Sequence, residues 1–162
     1  GTKEKAFDGL SKGAYVLVEA SKPTPDVILM ASGSEVQLAV EAAKTLEAEG
    51  TATRVVSMPC MEWFLEQDRS YIDEILPPSV PARVSVEAAI AMPWFRFTGD
   101  KGRNVSLEHF GASAPGDELF TRFGITTDAV VSAARESIAS AQGNVAESVS
   151  EPQADRVGGD QI

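Results

Sequence analysis

Hydrophobic residues in this chain alternate between short continuous runs and longer stretches at helical spacing, which predicts strands followed by helices in a layered α/β fold. Ala14 to Val18 (AYVLV) is apolar and β-prone, and two prolines between Ser21 and Pro25 turn the chain after it. Val27 to Ala31 (VILMA) carries no polar position at all, the pattern of a strand covered on both faces at the centre of a parallel sheet. Thr53 to Met58 and Ala82 to Val86 predict two further strands, and the more polar Asn104 to Glu108 predicts a strand at a sheet edge.

The helices are marked by periodicity and by their ends. Val36, Ala39, Val40, Ala43 and Leu46 recur on one face, with Ser32 and Glu35 spaced as a capping box and Gly50 placed as the stop. Met61 to Gln67 predicts a short helical turn. Ser70 to Leu76 predicts another, with Ser70 and Asp73 as a capping pair and Pro77-Pro78 as its stop. Ala88 to Phe97 is alanine-rich and helical in pattern. Pro115 suits a first helical turn, Gly124 ends the helix of Leu119 to Phe123, and Thr126 or Thr127 caps a last helix striped by Val130, Ala133, Ala134 and Ile138. Residues 1–12 read as a linker, 13–142 as one domain, and 143–162, rich in Ser, Glu, Asp, Gln and Gly, as a disordered tail.

Composition narrows the function classes. The 162 residues carry a net charge of −10, which opposes both nucleic acid and an anionic membrane surface. No run approaches the roughly 20 apolar residues of a membrane span. A single cysteine, Cys60, leaves no intrachain disulfide and points to a reducing, cytoplasmic setting. The start at Gly1 rather than Met fits a piece of a longer protein.

Few residues carry a chemical pattern. Ser32, Gly33 and Ser34 lie between the most apolar strand and a helix, where free N–H groups attract anions, so they form a candidate anion site. Neither a Lys-Ser/Thr pair nor a three-glycine dinucleotide pattern completes a phosphate loop, and Glu35 in the first turn repels a phosphate. His109 is the only histidine and Cys60 the only cysteine, far apart and without ligand spacing, so packing or surface roles are expected for both and no metal site is assigned. The apolar segments Ala88 to Phe97 and Phe110 to Pro115 suggest a covered surface, with Trp94, Phe95, Phe110 and Pro115 as candidate domain or dimer contacts.

In order, Gly13-Ala14-Tyr15-Val16-Leu17, Ala31-Ser32-Gly33-Ser34-Glu35-Val36, Arg54-Val55-Val56-Ser57-Met58-Pro59, Leu76-Pro77, Arg83-Val84-Ser85-Val86-Glu87-Ala88, Trp94, Phe110-Gly111-Ala112-Ser113-Ala114-Pro115 and Phe123-Gly124-Ile125-Thr126 resemble the C-terminal domain of transketolase. The likeness runs over residues 11–141. Ala89 departs from it, standing where the pattern has Gly. Two other thiamine-enzyme groups, the β-subunits of 2-oxo acid dehydrogenases and deoxyxylulose-phosphate synthase, share the domain type but not the G-S-E-V and F-G-A-S-A-P signatures together.

The resemblance implies a three-layer α/β/α domain with a mixed five-stranded sheet of order 1-3-2-4-5, strand 1 antiparallel. It implies a non-catalytic part of an enzyme that uses thiamine diphosphate and a divalent metal ion, magnesium or calcium, to transfer a two-carbon ketol unit between sugar phosphates. The diphosphate and metal ligands would lie in an N-terminal domain and the pyrimidine-binding glutamate in a middle domain, with no catalytic or cofactor-binding residue here, in a cytoplasmic homodimer. The alternative is a free-standing α/β regulatory module that binds an anionic metabolite at Ser32 to Glu35.

Overall fold

The computed structural model describes residues 7–113 and 115–143. The expected tail beyond Gly143 and the first six residues of the expected linker lie outside that range; residues 7–10 are helical. Strands β1 (Tyr15–Val18), β2 (Val27–Ala31), β3 (Thr53–Ser57), β4 (Arg83–Val86) and β5 (Arg103–Val105) form one sheet of order β1-β3-β2-β4-β5. β1 runs antiparallel to β3, and every other pairing is parallel. The helices are α1 (Val36–Ala48), α2 (Met61–Leu65), α3 (Arg69–Ile75), α4 (Phe95–Thr98), α5 (Gly116–Arg122) and α6 (Thr127–Ala141).

Strand alternation divides the apolar side chains between two cores. Val27, Leu29, Ala31, Val55, Val84 and Val86 pack with α1 and α6, while Ile28, Met30 and Val56 pack with Phe64, Ile75, Trp94 and Phe97 of the opposite layer. The sheet is therefore the middle of three layers. All five residues of β2 are fully buried, which accounts for its lack of polar positions. A buried Leu or Ile there contributes roughly 1.5–3 kcal/mol, so one polar substitution would remove much of the domain's margin.

Several element ends differ from the sequence expectations, for local reasons. β5 stops at Val105 rather than continuing to Glu108, because the Glu108 carboxylate turns back to accept from Ser106 Oγ (2.7 Å) and from the Ala91 amide (2.8 Å). The segment after β4 is helical only from Met92. The Ala88 and Ala91 amides go instead to the Glu35 and Glu108 carboxylates. α3 starts at Arg69, so Ser70 lies inside the first turn and the Ser70/Asp73 capping pair does not form; Asp73 Oδ1 instead lies 2.9 Å from Arg69 Nε. Pro115 stands at the N-cap of α5, just outside it. Thr126 caps α6 as expected, its hydroxyl accepting from the Ala129 amide at 3.2 Å.

Two arginines fasten α3 to the sheet. Arg54 and Arg83 both pair in register with Ile28, from either side, and so share a face. Arg54 Nη1 donates to the Glu74 and Ile75 carbonyls (2.8 and 3.3 Å). Arg83 Nη2 donates to the Leu76 and Pro77 carbonyls (3.1 and 2.9 Å), while its Nε and Nη1 reach Val80 and Phe97 (2.9 and 3.0 Å). These carbonyls at and beyond a helix C-terminus have no partner within the helix, and cationic donors suit them. Burial pushes the Arg83 guanidinium below its ordinary range, opposed in part by the Asp73 charge.

Candidate functional site

In a sheet of this order the chain leaves β2 toward one edge to make β3 and later returns to the other side to make β4. The loops at the carboxyl ends of β2 and β4 therefore diverge, and ligands of parallel α/β sheets commonly settle in such a crevice. Here Ser32 to Glu35 leaves β2, and Glu87 with Ala88 leaves β4. Ser32 is extended, and Gly33, with φ of 55°, opens a 3-10 turn ahead of α1.

That turn undoes the expected capping box. Neither Ser32 nor Glu35 makes a side-chain cap, because three residues of 3-10 geometry separate Ser32 from α1. Both side chains reach across the crevice instead. Ser32 Oγ donates to Glu87 Oε2 at 3.2 Å, Ser34 Oγ donates to Glu35 Oε2 at 2.9 Å, and the Ala88 amide donates to Glu35 Oε1 at 3.3 Å. Glu35 is 6% exposed. Burial raises the half-buried Glu87 carboxyl above its ordinary range, the Glu35 charge raises it further, and the Ser32 hydroxyl offsets part of this. The candidate anion residues Ser32, Gly33 and Ser34 thus share their crevice with two carboxylates, which oppose an incoming anion.

The rim of the same end is apolar. Phe110 is 100% exposed, Met92 68%, Phe95 57% and Ile90 48%, and Pro115 is also exposed. The loops carrying them are tied together by the Leu107 amide on the Ala89 carbonyl (2.9 Å) and by Glu108, held below its usual range by the Ser106 hydroxyl and the Ala91 amide. Trp94 does not belong with its expected companions. At 1% exposure it packs edge-on to Phe97 in the core, because the 3-10 turn of Met92–Trp94 rotates it inward while Phe95 points out.

His109 and Cys60 stay apart. They follow β5 and β3, separated by three strand spacings, roughly 14 Å. His109 is exposed, its Nδ1 donates to the Phe110 carbonyl at 2.8 Å, and its ring meets Phe123 edge-on. Cys60 is half-buried, with its thiol 3.6 Å from Glu62 Oε2. Sequence reasoning missed Glu87 as the partner of Ser32 and Arg83 as the clamp of α3. The one signal present was a charged residue at each end of a short strand, R-V-S-V-E.

A family model described as the transketolase-like TK C-terminal domain matches residues 13–126. Transketolase of Mycobacterium leprae is 51% identical over 132 residues, covering 80% of this chain and 19% of that protein. Transketolase of Leishmania mexicana superposes with a TM-score of 0.74 at 44% identity, covering 81% of this chain and 18% of that one. A split gene transketolase, an inactive β4 tetramer, superposes with a TM-score of 0.62 at 26% identity, covering 79% of this chain and 43% of that one. The chain thus spans about a fifth of the length of the curated relatives it matches.

Proposed function

The chain belongs to the transketolase C-terminal-domain family, and on that premise we propose that it is the non-catalytic C-terminal domain of a cytoplasmic, homodimeric transketolase of the pentose phosphate pathway. The whole enzyme would move a two-carbon ketol unit from a ketose phosphate to an aldose phosphate, using thiamine diphosphate and a divalent metal ion. No group of three or more His, Cys, Asp or Glu side chains among the described residues could hold a metal ion, so these residues do not fit that role. The metal and the diphosphate would be held by the N-terminal domain, and the cofactor's pyrimidine by the middle domain. This domain's part is to support the middle domain and the dimer.

The observation that carries this reading is the apolar rim at the carboxyl end of the sheet. Phe110 stands wholly in water with Phe95, Met92 and Ile90 on the same end, and covering a large apolar side chain gains roughly 1.5–3 kcal/mol. Aromatic and Met side chains are enriched at protein contacts. The split relative is an inactive assembly, which suits a domain that needs the rest of its enzyme.

The test is complementation. Mixed with a polypeptide supplying the N-terminal and middle domains, the chain should associate and ketol transfer should require both. Phe110→Asp should weaken that association about tenfold while leaving the chain's own stability within roughly 0.5 kcal/mol, because its ring buries nothing in this domain. Ketol transfer by this chain alone would overturn the reading.

A further inference from the structure

We propose that the groove between α3 and α4, at the amino end of β4, binds the phosphate group of a small phosphorylated molecule. The groove encloses about 370 Å³ and is lined by Arg69, Arg83 and Arg96, with Asp73 beside them and Ile72 and Phe97 as apolar wall. Three of the chain's fourteen Lys and Arg residues thus meet at one hollow in a protein of net charge −10. Their fields are strengthened by the apolar wall, and a basic cleft on an acidic surface concentrates anions.

The three guanidinium groups are differently committed. Arg83 is held rigid by four bonds to main-chain carbonyls, and one of its five N–H groups is left over, on Nη1. Arg69 faces Asp73 at 2.9 Å, but the contact is too poorly aligned to satisfy the buried Asp73 Oδ1, which has no hydrogen-bond partner. Arg96 is exposed and makes no hydrogen bond or ion pair with any described residue. It borders both this hollow and a neighbouring one of about 230 Å³ beside Met61 and Pro93.

A phosphate matches this set. Its oxygens take the planar fork of Arg96 and the remaining donors of Arg69 and Arg83. Asp73 Oδ1 is itself closed to the groove and keeps Arg69 turned toward it, so the phosphate contacts fall to the guanidinium groups. A larger hollow of about 450 Å³ at the same end of the sheet offers no such set. Its acidic residues are already engaged, Asp26 by Lys22 and the Ala52 amide and Glu49 by Arg135.

Glycerol 3-phosphate and inorganic phosphate, titrated separately into the full chain by calorimetry, provide the test. Both should bind saturably, since they carry the same group, and more weakly as salt is added. Arg96→Ala should weaken the ester about tenfold without shifting Tm, since Arg96 holds no part of the fold. Asp73→Asn, which removes a carboxylate from beside Arg69 and Arg83, should tighten the binding of both. No saturable binding up to about 10 mM ester, or binding undiminished in Arg96→Ala, would overturn the proposal.

Discussion

At the amino ends of β3 and β4 two arginines hold main-chain carbonyls, whereas at the carboxyl ends of β2 and β4 two glutamates accept from hydroxyls and amides of neighbouring loops. The direction of the strands explains the contrast. A helix that feeds a parallel strand arrives by its C-terminus and leaves carbonyls unpaired, while the loop leaving a strand toward a helix presents unpaired amides. Cations suit the first and carboxylates the second. The amino end is not uniformly basic, since Asp26 and Glu47 there accept from the Ala52 and Thr53 amides where the strands begin.

Three experiments would break or sharpen this contrast. The largest effect is expected at the carboxyl end, at Gly13, whose φ is 81° and where an added Cβ would overlap the Cys60 carbonyl oxygen and the Phe64 amide nitrogen. Gly13→Ala should cost about 4 kcal/mol, from overpacking plus left-handed strain, read from urea unfolding. A loss near zero would mean that β1 and α2 can separate freely. Next comes the amino end. Arg83→Met keeps most of the apolar stem but strands four carbonyls, and should cost about 3 kcal/mol and lower Tm. A neutral outcome would show that water replaces the guanidinium at no cost.

The smallest effect concerns pH, and the two ends should respond with opposite sign. The folded Glu87 carboxyl binds its proton more tightly than the ordinary value of 4.5. Its contribution is therefore present below that value and lost as pH rises through the raised folded pKa. Asp26 is held below its ordinary 3.8 by the Lys22 ammonium and the Ala52 amide. Its contribution is present above that value and lost as pH falls through the folded pKa. Urea unfolding across the acid range should show Glu87→Gln removing the loss above about 4.5 and Asp26→Asn removing the loss on the acid side. Identical slopes in both variants would dissolve the distinction between the ends.

Much of the fold was legible from local pattern. VILMA declared a strand buried on both faces, Gly50 and Thr126 marked helix ends, and the ordered motifs pointed to the sheet order that the strand pairing shows. The candidate site was legible only in part. Ser32 and Glu35 have the spacing of a capping box, and nothing in that spacing reveals that their partners stand 55 and 53 residues away. Trp94 and Phe95 are adjacent aromatics that no periodicity separates in so short a helix, yet one is core and the other surface.

By itself, then, the sequence determined the strands, the two long helices, the acidic character and the family, because these follow from periodicity, composition and ordered motifs. Tertiary structure alone decided which carboxylates fill the crevice, which helix end Arg54 and Arg83 hold, and that Arg69, Arg83 and Arg96 share a groove. Such polar pairings bring together residues distant in sequence, and a long flexible side chain can serve any of several carbonyls or carboxylates until packing fixes which lies within reach.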